Sequence, residues 1–397
     1  MEGRLKNMVH PVIRLLMRIA AAAYFEKVIV KGRSNIPAHG PCIFACNHPN
    51  SFLDALIITV IYGQPIYYLA RGDAFKRPIG AKLLRFLNNI PMFRKEEGSE
   101  HMPRNMESFS YCNQVLKSGD AVLIFSEGVC ENEWHLRPFR KGTARLVFEA
   151  LRDKTLSEKM KVIPVAVNYS GWLGTGNKIY VDFLPALNLE EFPREQGLFL
   201  RGFNQRLRNV LAEKCVSMDK GKDAETQNVV TGFIMKNLRN GTEKAMKTLE
   251  LFKQQQGAPD GDRVKKLAGY IVNEKVRYYS ETRVSLPAFL FSVLIIPVAV
   301  ILNFIPYCLC RYIAGKTTRR NVFYDSVFFG SLVILGTFYM IILGILFIVI
   351  LHSALGLAVP AMALFSAAYF EFALRNIYCY LTPVKQKQIK AMLSALP

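Results

Sequence analysis

Short β-type runs alternate with helical stretches over the first half of the chain. The runs rich in β-branched and aromatic residues read VIVKG, PCIFACN, PIYYLA, AVLIFSEG, KVIPVAVNY and KIYVDFLP. The stretches with helical character lie near 51–62, 79–88, 104–118 and 141–152. This alternation predicts an α/β domain at residues 28–215, with a mostly parallel sheet flanked by helices.

The last third of the chain consists largely of two apolar runs. Residues 285–310 carry no charge and three prolines, and residues 326–374 are apolar for almost their whole length. Because one span needs about 20 residues, the second run predicts two spans that turn between His352 and Pro360. The first run predicts either one span or a re-entrant segment broken at Pro297. We therefore expect a C-terminal α-helical transmembrane domain at 284–397.

Basic residues flank these runs on every polar side. They are Arg277 and Arg283, then Arg311, Lys316, Arg319 and Arg320, and finally Arg375, Lys385, Lys387 and Lys390. The positive-inside rule would keep all of these flanks cytoplasmic, which favours a re-entrant first segment followed by a full hairpin. The same rule predicts a multi-pass membrane protein whose α/β domain faces the cytoplasm.

The two remaining segments are polar on at least one face. Residues 8–25 are apolar but carry Arg14 and Arg18 on one helical face, so residues 1–27 predict an amphipathic helix in the headgroup layer. A helix packed on its own domain fits this pattern equally well. Residues 216–283 predict a charged helical linker.

Composition narrows the class of partner. The chain has 397 residues, a formal net charge of +20 and 51% hydrophobic residues. A nucleic-acid binder can be this basic but would rarely carry such apolar runs, so we expect membrane lipids or phosphorylated substrates and no nucleic acid. We find no clustered ligand spacing for a metal, and we expect none.

The stretch CNHPNSFLD combines a histidine with an aspartate six positions later. Pro49 disfavours helical geometry at His48, while Ser51 as N-cap and Asp54 at the third helical position would start a helix. The imidazole can then fold back so that Asp54 fixes its tautomer and His48 acts as a general base. Taken alone, the stretch also fits a loop histidine beside a carboxylate that only caps the helix.

Three further clusters follow in order. NNIPMFR ends at Arg94 after a helix and a short apolar strand, and FSEG places Glu127 and Gly128 directly after a strand. Ligands usually bind at that edge of a parallel sheet. VIPVAV carries Pro164 inside a strand, which is unusual for a central strand.

The four blocks NHPNSFLD, NNIPMFR, FSEG and VIPVAV together resemble the glycerophosphate acyltransferase family, over roughly residues 28–190. The resemblance implies that His48 takes the proton of an acceptor hydroxyl that attacks an acyl thioester, with Asp54 orienting it. It implies further that Arg94, Glu127 and Gly128 hold a glycerol phosphate. Pro164 would shape the acyl-chain side.

Two departures affect these assignments. Five residues separate His48 from Asp54 where four are usual, and the third block lacks the arginine often found after its glycine. The phosphate charge would then come from Arg137, Arg140 or Lys141, whose position at a helix start suits an anion. Arg71 is a weaker candidate for the same task.

The resemblance implies a membrane-bound acyltransferase of phospholipid biosynthesis. Its donor would be acyl-CoA or acyl carrier protein, and its glycerophosphate acceptor most commonly 1-acylglycerol-3-phosphate. Glycerol 3-phosphate is the alternative acceptor, because some fungal glycerol-3-phosphate acyltransferases look similar in having five residues between His and Asp and C-terminal membrane segments. A non-catalytic lipid-binding or scaffold protein is the alternative of another class. No cofactor is expected, because a thioester is already activated and a positioned base with oxyanion donors suffices.

Overall fold

The computed structural model describes residues 2–93, 102–217, 224–237, 261–276, 278 and 283–394. The chain divides into two compact units. The first comprises Met1–Arg14, Val30–Val167 and Val181–Cys215, and the second comprises Leu15–Ile29, Asn168–Tyr180 and Val216–Pro397. The predicted domain boundaries near 27, 215 and 283 stay predictions.

Seven strands form one sheet in the order β1-β7-β6-β2-β5-β3-β4. They are β1 Phe25–Lys31, β2 Cys42–Cys46, β3 Ile66–Arg71, β4 Asn89–Met92, β5 Ala121–Phe125, β6 Lys161–Tyr169 and β7 Asn177–Phe183. β2 pairs in parallel with β5 and β6, and β3 pairs in parallel with β4 and β5. The predicted mostly parallel α/β sheet is thereby confirmed.

Helices connect and follow these strands. In the first half they are α1 Glu2–Tyr24, α2 Ser51–Tyr62, α3 Pro78–Phe86, α4 Met102–Lys117, α5 Gly142–Leu151, α6 Lys154–Lys159 and α7 Gln196–Ala212. In the second half they are α8 Ala224–Asn237, α9 Gly261–Asn273, α10 Leu286–Thr318, α11 Tyr324–Ser331, α12 Thr337–Leu351, α13 Ala358–Leu381 and α14 Pro383–Ser394. The four helices predicted between the strands all form, with each end within two residues of the prediction.

The core of the first unit lies on both faces of the sheet. Every residue of β2 is fully buried, as expected for a strand in the middle of a parallel sheet covered by helices. On α7, Phe199, Phe203, Leu207 and Leu211 repeat every four positions, so they form one stripe, and all four are fully buried. The sheet edge that carries the strand ends is therefore held on a rigid core.

In the part of the chain that the structure describes, three helical stretches are long and apolar enough to cross a membrane, judged by length and composition. They are Leu286–Thr318, Tyr324–Leu351 and Ala354–Leu381. The last two are separated by the predicted turn, where His352 adopts a left-handed conformation and Ser353 caps a short 3-10 helix at Ala354–Leu357. The expected hairpin of two apolar helices is thereby confirmed.

The expected break at Pro297 is wrong. α10 continues for 33 residues through Pro297 and Pro306, a length of about 50 Å. Pro306 has no N–H to donate to the carbonyl of Leu302, but the Tyr339 hydroxyl donates a hydrogen bond of 2.9 Å to that oxygen. At Pro306, a neighbouring helix thus satisfies the Leu302 carbonyl that the proline leaves free, which lets the helix continue.

Within the second unit, a buried carboxylate joins three segments. Asp325, 2% exposed, accepts hydrogen bonds from the Tyr24 hydroxyl at 2.7 Å and from the backbone N–H groups of Leu173 and Gly174 at 3.0 and 2.9 Å. Burial and the neighbouring Asp325 together raise the pKa of Tyr24 well above its usual value. Tyr24 is therefore the hydrogen-bond donor in this pair.

Replacing Asp325 with alanine should destabilise the protein strongly. The change would leave a hydroxyl and two N–H groups without their acceptor, at a cost of about 3 kcal/mol. Thermal unfolding in detergent measures the effect as a lower midpoint. Asp73→Ala is the control, because Asp73 is partly exposed and pairs with the exposed Arg71. Equal midpoints for the two variants would contradict the assigned role of Asp325.

Candidate active site

The loop after β2 is anchored by Asn47, the residue directly before His48. Asn47 follows the strand and bonds Val167 on β6 twice: its Nδ2 donates to the Val167 carbonyl at 2.9 Å, and its Oδ1 accepts the Val167 N–H at 2.7 Å. Pro49 then favours an extended backbone at His48. This histidine therefore leaves the sheet at its carboxyl edge, ahead of α2.

His48 and Asp54 are in contact. Nδ1 of His48 lies 3.0 Å from Oδ2 of Asp54, whose side chain is fully buried. A carboxylate accepts only, so it selects the tautomer with the proton on Nδ1 and leaves Nε2 as the ring nitrogen able to take a proton. Five intervening residues suit this contact because the loop precedes the first turn of the helix.

The start of α2 differs from the prediction in one respect. The N-cap is Asn50 and not Ser51, which is already the first helical residue and has a φ of 46°. The Asn50 N–H donates to Oδ2 of Asp54 at 2.9 Å. One carboxylate oxygen therefore both accepts an N–H at the start of the helix and contacts the imidazole.

An aromatic ring that the sequence analysis did not single out supports the imidazole. The ring of Phe125 stacks on that of His48, with centroids 3.7 Å apart and planes 10° from parallel. Phe125 is the last residue of β5 and lies opposite Cys46 of β2 in the parallel register. The only sequence signal was its place directly before Ser126-Glu127-Gly128.

Glu127 lies next to the histidine backbone. It is 2% exposed; its Oε1 accepts the N–H of His48 at 2.9 Å, and its Oε2 forms an ion pair with Nε of Arg137 at 2.8 Å. Burial raises the pKa of this carboxyl, and the His48 N–H and the Arg137 charge oppose that rise. Both oxygens of Glu127 thus face groups of the protein itself.

The position of Gly128 favours a residue without a side chain. Its φ is +70°, a left-handed conformation, and a Cβ there would lie 2.9 Å from Cγ of Arg140. The close approach brings Arg140 against the turn that carries Glu127. The turn therefore places a cationic side chain beside the predicted site.

Arg137 is surrounded by carboxylates. Besides Glu127, its Nη1 lies 2.8 Å from Glu133 and 3.7 Å from Glu131, and its Nη2 donates to the His48 carbonyl at 3.2 Å. Its side chain is 12% exposed. The structure places Arg137 beside His48 and Glu127, with Glu131 and Glu133 as further ion-pair partners.

The other predicted cations differ in environment. Arg140 and Lys141 are exposed and form no ion pair among the described residues, and Lys141 is the N-cap of α5. Arg71 ends β3 at the same sheet edge but pairs with Asp73. Arg94 lies outside the described residues. Pro164 lies opposite Ala45 in β6, within the sheet. Among the described residues, no group of His, Cys, Asp and Glu could hold a metal ion.

A family comparison agrees with this geometry. Residues 27–168 match the Acyltransferase family model. The expected resemblance is confirmed over this segment, which we call the acyltransferase domain; it contains His48, Asp54, Glu127 and Arg137. The match ends before the apolar helices of the C-terminal third.

Curated relatives of the acyltransferase domain carry related names. A chloroplastic 1-acyl-sn-glycerol-3-phosphate acyltransferase of Brassica napus is 26% identical over 140 residues, 35% of this chain and 39% of that protein. A protein of the same name from Chlamydomonas reinhardtii is 26% identical over 164 residues, 41% and 43% of the two chains. Human lysophosphatidylcholine acyltransferase 1 is 24% identical over 203 residues, 48% and 36%. The chain spans less than half the length of these relatives.

One solved structure is similar to part of the chain. The 1-acyl-sn-glycerophosphate acyltransferase of Thermotoga maritima aligns with a TM-score of 0.41 and 18% identity, over 54% of this chain and 82% of that one.

Proposed function

We propose that the protein transfers a fatty acyl group from an acyl thioester to a hydroxyl of a glycerophosphate acceptor. The observation that carries the proposal is the contact of 3.0 Å between Nδ1 of His48 and the buried carboxylate of Asp54. The ring of Phe125 stacks on the same imidazole. The pair supplies an oriented base at a sheet edge where ligands usually bind. The acyltransferase match over residues 27–168 supports this type of chemistry.

The reaction needs one base and no separate protein nucleophile. The acceptor hydroxyl gives its proton to Nε2 of His48 while its oxygen attacks the thioester carbonyl carbon. The tetrahedral intermediate then collapses, the carbon–sulfur bond breaks, and the imidazolium returns the proton to the leaving thiolate. Asp54 stabilises the imidazolium between these two steps. Ester and thiol are the products.

The acceptor phosphate requires cations that are not already paired. Arg140 and Lys141 meet this condition at the start of α5, beside the Glu127–Gly128 turn. A helix N-terminus adds favourable backbone N–H groups for an anion. We assign the phosphate to this corner. Arg94 stays a further proposed contact, and Arg71 stays a weaker one because Asp73 already pairs with it.

Replacing Arg140 with alanine should raise KM for the acceptor about tenfold and leave kcat nearly unchanged. The loss corresponds to one charge-assisted hydrogen bond that holds ground state and transition state equally. Steady-state kinetics with varied acceptor measure it. Arg152→Ala is the matched control, because Arg152 follows the other end of α5, about 15 Å along the helix axis. Equal KM values in both variants would contradict the assignment.

The acceptor that we propose is 1-acylglycerol-3-phosphate. Two relatives bear the name of that activity, which supports this acceptor; a third relative is named for lysophosphatidylcholine. Glycerol 3-phosphate stays the alternative because of the five-residue spacing between His48 and Asp54. An assay of purified protein in detergent that offers each acceptor separately, with acyl-CoA and with acyl carrier protein, decides among them. Absence of turnover with every pair would overturn the proposed function.

The proposed setting is a membrane, with the acyltransferase domain on the cytoplasmic face. Three apolar helices of the described residues, each long enough to span a bilayer, support membrane attachment. The orientation is proposed from Arg277 and Arg283, which directly precede the first of these helices. With three spans the later basic flanks lie on the opposite side and do not support it. A membrane-attached domain would meet lipid acceptors and release lipid products without carrying acyl chains through water.

A further inference from the structure

Arg137 occupies a fixed position in the loop between β5 and α5. Its neighbour Leu136 is 3% exposed and belongs to the hydrophobic core, and Trp134 is 8% exposed. These anchors hold the backbone on the N-terminal side of Arg137, so its guanidinium is placed by the core rather than by a mobile side chain. A ligand-binding cation on the surface would not need such support.

The charges of Arg137 and Glu127 are paired within the protein. Nε, Nη1 and Nη2 of Arg137 face Glu127, Glu133 and the carbonyl of His48. Glu127 has one oxygen on the His48 N–H and the other on Arg137. An acceptor phosphate would have to compete for Arg137 with carboxylates already in contact with it.

Glu127 and Arg137 both bind the backbone of His48. Glu127 accepts the N–H of His48, and Arg137 donates to the C=O of His48. Because Arg137 also holds Glu127, the two contacts form a closed set around the His48 backbone. A fixed backbone is needed for the imidazole to meet Asp54 at its edge and Phe125 on its face at the same time.

We propose that Arg137, acting through Glu127 and the backbone of His48, is a positioning residue for the base and not a ligand of the acceptor phosphate. The assignment rests on the proposed function of His48. It replaces the expectation from sequence that Arg137 and Glu127 bind the acceptor. Phosphate recognition is left to the unpaired cations that follow Arg137.

The planar guanidinium is essential to this role. Its donors point in three directions in one plane, whereas the ammonium of lysine is a compact charge that cannot reach three separated acceptors at once. A buried Glu127 without its cation would also be an uncompensated charge. Methionine keeps much of the side-chain volume of Arg137 but removes its charge and its donors, so Arg137→Met is the informative change. Arg137→Lys is the conservative change, because it keeps the charge.

The test compares kinetics and amide exchange in Arg137→Met, Arg137→Lys and the control Arg152→Met. For a positioning role we expect kcat to fall about a hundredfold in Arg137→Met, the loss typical of a misplacement of about 1 Å, with KM for the acceptor unchanged. Arg137→Lys should recover part of kcat. Hydrogen exchange at the His48 amide, measured by mass spectrometry on intact protein, should be at least about tenfold faster in Arg137→Met.

Two results would overturn the proposal. A rise in acceptor KM with kcat retained would make Arg137 a phosphate ligand, and unchanged kinetics with unchanged exchange at His48 would make it a spectator. The exchange measurement needs no turnover, so it tests the positioning role even if the wild-type protein transferred no acyl group. Failure of the proposed function and failure of this inference are thereby distinguished.

Discussion

Replacing His48 with alanine is expected to lower kcat by about a thousandfold, within the range that a general base contributes. The change removes Nε2, the only ring nitrogen left free by the Asp54 contact at Nδ1. Acyl transfer to the preferred acceptor, measured at saturating concentrations of both substrates, is the readout. KM values should change little, because the base acts on the hydroxyl proton and not on the phosphate.

The His48 experiment needs a fold control and a matched histidine. Alanine leaves a gap above Phe125, so His48→Gln, which keeps a polar side chain of similar length, should show the same loss. His39 is exposed, and His39→Ala should retain full activity. Turnover within tenfold of the wild type in both His48 variants would refute the assignment of the base.

Replacing Asp54 with asparagine should cost nearly as much, about 10³- to 10⁴-fold in kcat, although the side-chain shape is almost unchanged. The amide oxygen can take the place of Oδ2, the atom that faces both the Asn50 N–H and Nδ1 of His48, so both contacts can survive. What is lost is the negative charge that stabilises the imidazolium formed during the reaction.

The fold of Asp54→Asn should survive because the cap of α2 is kept. Thermal unfolding should therefore show a modest change, whereas Asp54→Ala should lower stability further by removing the acceptor of the Asn50 N–H. Asp153→Asn is the matched control for activity, because Asp153 caps the start of α6 in the same way and is not part of the proposed site. An Asp54→Asn protein with near wild-type turnover would show that the charge of Asp54 is not needed for the reaction.

The sequence determined the type of fold and the elements that carry the site. β-type runs separated by helical periods predict a parallel sheet, and parallel strands bring their carboxyl ends to one edge. His48 after β2 and Glu127 after β5 meet for this reason, since β2 and β5 are neighbours. The lengths of the apolar runs likewise predicted the helical hairpin, because span length depends only on rise per residue.

Local patterns were less decisive where two interactions compete for one position. Ser51 and Asn50 are both good N-cap residues, and the choice follows from Asp54, which reaches the N–H of Asn50. Pro297 predicted an interruption, but the helix continues through it and through Pro306, where Tyr339 on another helix satisfies the carbonyl of Leu302. A local rule fails at these places because a residue far away in sequence changes the balance.

The role of Arg137 could be decided only by the tertiary structure. As a sequence, ENEWHLRPFRKG presents several cations of equal standing after the third block, and any of them could serve a phosphate. Folding directs Arg137 inward onto Glu127 and His48 and leaves Arg140 and Lys141 exposed. The physical reason is that the spacing of charged residues along the sequence does not determine which of them are buried in contact with one another. The sequence alone determined which residue types reach the sheet edge, whereas only the packed structure decided which charges pair there and which remain free for a substrate.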